Sequence, residues 1–216
     1  MNYTLAVILS FSITIPAVTG WVRSQVIAPA YYPFIILLSC GLTNEIISYL
    51  LTRNGHSNAI NSNIYALAEG ILITLFFFYA GLFNKNRRVF YGLLIYLVLL
   101  WITDKLIVSD IFHFSPYYSL SSAFAYVLMS VSMINRLTLV EHQRLVRNSI
   151  FIICLCFIFF FTYALLVEIF WLYGLDASRQ FRLKVYRIMA YINVGANLVY
   201  TFAILWIPRK QEYTML

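Results

Sequence analysis

The sequence predicts an all-α protein, a bundle of seven transmembrane helices forming a single domain over residues 1–216. Three observations carry that expectation. Of the 216 residues, 62% are hydrophobic and only 11% charged, with a mean hydropathy of +0.82. A soluble domain is about half apolar and about a quarter charged, so a water-soluble fold could not hide this much apolar surface. Seven apolar stretches can be marked, each near the length that crosses a bilayer core of about 30 Å. The cationic residues lie between those stretches, as membrane topology demands.

The expected spans are 3–21, 31–52, 62–83, 89–109, 116–136, 149–173 and 185–207. The first begins Met1-Asn2-Tyr3-Thr4 with no positive n-region, so it is expected to be a permanent helix and not a cleaved signal. Pro16 is expected to kink it. Pro29 and Pro33 precede the second span, and Arg53-Asn54-Gly55 ends it. Asn84-Lys85-Asn86-Arg87-Arg88 separates the third from the fourth. Ser115-Pro116 opens the fifth as a cap followed by proline in the first turn. Pro208 ends the seventh, and Arg209-Lys210 anchors it. Trp21, Trp101, Trp171 and Trp206 fall near span ends, where interfacial aromatic residues are enriched.

The net charge of +7 does not read as a nucleic-acid footprint, because the bases flank spans and do not form one patch. With seven crossings, nine Lys and Arg residues lie on one side: Arg23, Lys85, Arg87, Arg88, Arg136, Arg144, Arg147, Arg209 and Lys210. Six lie on the other: Arg53, Lys105, Arg179, Arg182, Lys184 and Arg187. The positive-inside rule then predicts an external N-terminus and a cytoplasmic C-terminus.

Cys40, Cys154 and Cys156 sit inside apolar runs without paired spacing, giving neither a disulfide framework nor a zinc site. The three histidines have no metal-binding pattern, and glycine-rich phosphate loops and G-x-S-x-G elbows are absent. A retinal protein needs a lysine deep in a helix, whereas Lys184 stands at the edge of the seventh span. No cofactor is expected and no enzymatic constellation emerges.

Ionisable groups inside spans are costly and usually face a bundle interior. Glu45 lies in the second span, Glu69 in the third, Asp104 and Lys105 late in the fourth, and Glu168 late in the sixth. Arg187 lies early in the seventh, followed by Asn193 and Asn197. Because helix direction alternates, Glu45, Glu69, Asp104, Lys105, Glu168, Arg187 and Asn193 fall in the membrane half on the N-terminal side. Asn61, Tyr65 and Glu69 share a helix face at four-residue spacing, as do Glu45 and Tyr49. Tyr186, Asn193, Asn197 and Tyr200 make a third such face.

The expectation is a polar cavity in the outer half, walled by Glu45, Glu69 and Glu168 with Tyr49, Tyr65, Arg187, Asn193 and Asn197. It would bind a small polar or cationic ligand and signal through a separate partner. Pairing of Glu45 or Glu69 with Arg187 is the structural alternative, with Asp104, Lys105 and Glu168 reaching headgroups. A small secondary transporter, an ion or proton channel, or a structural subunit of a membrane complex would use the same residues. The stretch Arg136–Arg147 mixes bases with apolar residues and is expected to anchor at the cytoplasmic surface or dock a partner. Ser122, Ala125, Met129 and Ser132 form a narrow small-residue face suited to close internal packing or to an oligomer contact.

Overall fold

The computed structural model describes residues 3–108, 110–114, 116–140, 145–172 and 179–208. These are helical almost throughout, with no strand among the described residues. Six helices are long and apolar enough to cross a membrane: Pro29–Arg53, Ala59–Tyr79, Arg87–Val108, Pro116–Leu139, Ser149–Phe170 and Arg187–Leu205. The chain is therefore a multi-pass integral membrane protein whose surroundings are a lipid bilayer. Many large apolar side chains point outward, Leu106, Phe159 and Phe202 among them. In water such a surface would be untenable.

The first apolar stretch differs from the rest. It consists of α1 (Tyr3–Ser10), a 3-10 turn (Phe11–Ile13) and α2 (Thr14–Arg23). The apolar part, Val7–Arg23, is shorter than the six long helices. The tight turn ends three residues before Pro16. That proline lacks the N–H that would bond the Ser12 carbonyl, and its ring crowds the same carbonyl, so the preceding turn tightens.

The remaining helices are α3 (Tyr32–Arg53), α4 (Ala59–Tyr79), α5 (Arg87–Thr103), α6 (Pro116–Val140), α7 (Ser149–Leu172) and α8 (Arg179–Leu205). Their ends have identifiable causes. Gly55 takes φ of 75° after α3, and His56 N–H donates back to Leu51 O at 2.9 Å. Gly81 takes φ of 88° after α4, and Leu82 N–H donates to Phe77 O at 3.0 Å. Both are Schellman closures, which need a left-handed residue that glycine supplies without strain. The closure at Gly81 ends α4 at Tyr79, short of the expected 83, and the helix begins at Ala59 instead of 62. Asn86 caps α5 by accepting from Arg88 N–H. The Asn148 side chain does the same for Ile150 N–H at 2.9 Å. Ser115, expected as the cap of α6, lies outside the described residues.

The helices close a ring. The α1–α2 segment packs on α3 and α8, α3 on α4, α4 on α6, α6 on α7, and α7 on α8. α5 stands outside, against α4 and α6. Arg23 donates to Ile204 O at 2.6 Å, neutralising a carbonyl at the end of α8. On the side of the α4–α5 loop, the ring interior is filled with aromatic side chains. Phe34, Phe76, Phe157 and Tyr200, one from each of four helices, meet at centroid distances of 5.3–6.2 Å. All four are buried. Cys154 and Cys156 are buried free thiols in this apolar region.

Candidate functional site

The other half of the ring, toward the α3–α4 loop, is built differently. A cavity of about 460 Å³ is lined by Ser10 and Ile13 of the first segment, Gly41, Asn44 and Glu45 of α3, and Tyr65 and Glu69 of α4. Phe160 of α7 and Met189, Ala190 and Asn193 of α8 complete the wall. Four of the eight residues singled out from the sequence thus share one space: Glu45, Tyr65, Glu69 and Asn193. Among the described residues, no Lys, Arg or His lines it.

Local geometry explains how the acids get there. Tyr65 and Glu69 are one helical turn apart, and the Tyr65 hydroxyl donates to Glu69 Oε1 at 3.2 Å. Gly41 on the facing helix makes room for that phenol, since a Cβ at Gly41 would lie 3.3 Å from the Tyr65 oxygen. Glu45 stands one turn beyond Gly41 on α3, with the Ser10 hydroxyl in hydrogen-bonding reach. Asn61 fixes the register of the two helices. Its amide donates to Asn44 Oδ1 at 2.8 Å and to Ser48 Oγ at 3.2 Å. Asn44, which lines the cavity, is held by this pairing.

Behind Glu69 lies a second polar layer. Tyr118 donates to Ala66 O at 3.2 Å, and beside it the Tyr126 hydroxyl is buried with no hydrogen-bond partner among the described residues. Both phenols approach α4 at Gly70, where a Cβ would sit 2.6 Å from one and 2.9 Å from the other. Glycine is required at Gly70 because two rigid side chains occupy the place of its side chain.

The other expected site residues lie elsewhere. Glu168 lines a second cavity of about 730 Å³, bounded by α4, α6, α7, α8 and the residues just before α6. Ser62, Asn63, His113 and Ser119 share that wall. The two cavities have Met189 in common. Asn197 is buried and donates to Ser12 Oγ at 2.8 Å, tying α8 to the first segment. Tyr49 packs edge-on against Phe11 at 6.2 Å. Arg187 is exposed and lines neither cavity, so the expected pairing with Glu45 or Glu69 does not occur at the cavity wall.

Asp104 and Lys105 are buried in a π-helical turn, Asp104–Val108, that continues α5. Asp104 accepts from Tyr118 N–H at 3.3 Å, serving the first turn of α6. Lys105 donates to His113 O at 2.7 Å and to Asp110 O at 3.3 Å. Asn63 donates to Ile111 O and His113 O, both at 2.8 Å, and its own carbonyl accepts from Trp101 at 2.9 Å. These groups hold the chain between α5 and α6.

Sequence reasoning missed Ser10, Gly41 and Ala190. A serine and two small residues within apolar runs carry no cost that would flag them, and only the assembled ring brings them to the acids. Among the described residues no three His, Cys, Asp or Glu side chains converge as metal ligands. The expected docking stretch Arg136–Arg147 is described only in part: α6 continues through Arg136 to Val140, and residues 141–144 lie outside the described residues. Compared with protein-family models, characterised proteins and solved structures, the chain matches none of them.

Proposed function

We propose that this chain is a receptor-like membrane protein of seven crossings that binds a small cation, such as an organic ammonium, in the cavity between the first segment, α3, α4 and α8. The observation that carries the reading is the pair Glu45 and Glu69. They come from different helices, line one cavity, and have no base beside them in its wall among the described residues. A carboxyl withdrawn from water either takes up a proton or stays ionised beside a compensating charge. A cation of one positive charge supplies it, and Asn44, Asn193 and the Tyr65 phenol offer neutral oxygens around it.

The aromatic layer below favours sensing over conduction. Phe34, Phe76, Phe157 and Tyr200 leave the cavity without a polar continuation toward the α4–α5 loop. A transporter or channel would have to open that layer. α4 supplies a route for a signal instead. It carries Glu69 at its midpoint and ends at Gly81, where a Cβ would lie 3.3 Å from the Arg136 guanidinium of α6. Occupancy that shifts α4 is thereby felt at the basic end, where a partner would read it. The first segment is taken as the seventh crossing, with the N-terminus outside and the C-terminus cytoplasmic, on the charge asymmetry.

The test uses purified protein in nanodiscs, with tetramethylammonium and choline chloride titrated against equal sodium chloride. A saturable rise in melting temperature is expected. Two unit charges about 4 Å apart at an effective dielectric of about 20 attract by about 4 kcal/mol. Much of that offsets dehydration, so Glu69→Gln or Glu45→Gln is expected to weaken binding about tenfold or more. Glu168→Gln is expected to leave the affinity within about threefold of the parent. Equal shifts with sodium, or affinity indifferent to Glu45 and Glu69, would refute the reading. Uptake of the same cations into sealed proteoliposomes would replace sensing with transport.

A further inference from the structure

We infer that the cleft between α5 and α6, on the side of the α4–α5 loop, holds one acyl chain of an anionic phospholipid, with Lys85 at its mouth meeting the headgroup phosphate. The cleft has a volume of about 360 Å³ and lies on the face of the bundle opposite in depth to the acidic cavity. Its walls are Val89 and Leu93 of α5 and Leu128 and Met129 of α6, with Ala125 and Ser132 along the same α6 face. The small side chains at Ala125 and Ser132 keep α6 from filling the space. From Ser132 to Ala125 the helix rises about 10 Å, so the cleft runs from the loop into hydrocarbon depth.

The surroundings decide the occupant. An empty apolar space at that depth forfeits dispersion contacts along its whole lining. The medium beside it is acyl chain, which fits walls of this chemistry. Selection by headgroup comes from the mouth. Lys85 and Asn86 line it, no acidic residue does among the described residues, and Arg136 lies across the Gly81 turn at the same end. A phosphate there gains a charge and neutral hydrogen-bond donors together. Arg87 and Arg88 are exposed nearby but do not line the cleft, which separates this site from a diffuse basic surface.

Native mass spectrometry of the detergent-released protein with equal phosphatidylglycerol and phosphatidylcholine of identical acyl chains tests this directly. One phosphatidylglycerol is expected to be retained about fivefold over phosphatidylcholine, the weight of a single base beside an anionic group. Lys85→Gln should bring the ratio to about one, and Arg88→Gln should leave it unchanged. Ala125→Leu, with Ser132→Leu as a second way of filling the cleft, should remove the bound molecule of either lipid. Lys85 and Arg88 are both exposed, so neither variant threatens folding. A parent without preference, equal loss on Arg88→Gln, or lipid retained in both filled variants would overturn the proposal.

Discussion

Gly70→Ala is the sharpest test of how the wall behind Glu69 is assembled. The added methyl group would lie 2.6 Å from the Tyr118 hydroxyl oxygen, 2.9 Å from that of Tyr126 and 3.7 Å from Leu97 Cδ1. The first two distances are well inside van der Waals contact, so something must move. Neither phenol can yield cheaply. Tyr118 and Tyr126 are 0% and 1% exposed, and each hydroxyl is carried on a ring that shifts only as a unit. The Tyr126 ring is wedged against Phe161 at 4.7 Å. Tyr118 is also tied to Ala66 O. Overpacking of this kind costs about 1–3 kcal/mol. For a chain of this size that corresponds to a fall in melting temperature of about 2–10 °C, using the scaling for domains of 150–250 residues. Differential scanning fluorimetry in nanodiscs reads it. Removing both oxygens with Tyr118→Phe and Tyr126→Phe should return about half of the loss, the remainder reflecting the bond to Ala66 and about 1 kcal/mol of hydrogen bonding. A Gly70→Ala protein that melts within about 1 °C of the parent, or no recovery with the two phenylalanines, would refute the close approach of α4 and α6.

Other consequences are as direct. Lys105→Met removes the donor to His113 O and Asp110 O while leaving Asp104 buried, and is expected to destabilise by about 2–4 kcal/mol in urea or thermal melts. An unaffected melt would mean that the link before α6 is held by other groups. Met189→Trp enlarges a wall residue that the two cavities share, and should slow cation exchange measured by stopped-flow without changing equilibrium affinity by more than about twofold. A loss of affinity with unchanged exchange would place Met189 in the binding wall only. Single cysteines at Gln25 and Ser57 should label from opposite faces of sealed vesicles, with Ser57 outside, if both the crossing of α3 and the charge-based orientation hold. Labelling from one face would remove the topology on which the outer position of the cavity depends.

Much of this arrangement was legible in the sequence because membranes make polar residues conspicuous. Glu45, Tyr65, Glu69 and Asn193 stand out as polar groups within apolar runs, and alternating helix direction places the two acids and Asn193 in the same half of the membrane. Six of the expected spans correspond to helices of crossing length. The expected third span overran because Gly81 reads as an ordinary small residue until its left-handed conformation is seen. Asp104 and Lys105 carried the same signal of cost as the cavity acids. Their role differs because acceptors in the adjacent chain, at His113 and Asp110, lie within reach, and a pairing across eight residues through a π turn has no periodic signature. Arg187 misled for a related reason. A long side chain near a helix end can reach outward from an interior-facing position in the sequence, so spacing does not fix where its charge resides.

The fold divides its interior by chemistry, and α4 crosses the division. In the half toward Ala59 the helix presents Asn61, Tyr65 and Glu69 to α3 and the cavity. Two turns past Glu69 the same helix turns aromatic, and Phe76 and Phe77 pack into the buried layer with Phe157. Gly70 lies at the boundary, where the helix is pressed closest to α6 by two phenols. A helix so held has little freedom to bend at that point and transmits displacement along its axis. On the cation-binding reading proposed above, occupancy at Glu69 would be felt along this helix as far as the Gly81 turn against Arg136. On the same reading, the buried aromatic half would keep the cavity closed toward the α4–α5 loop.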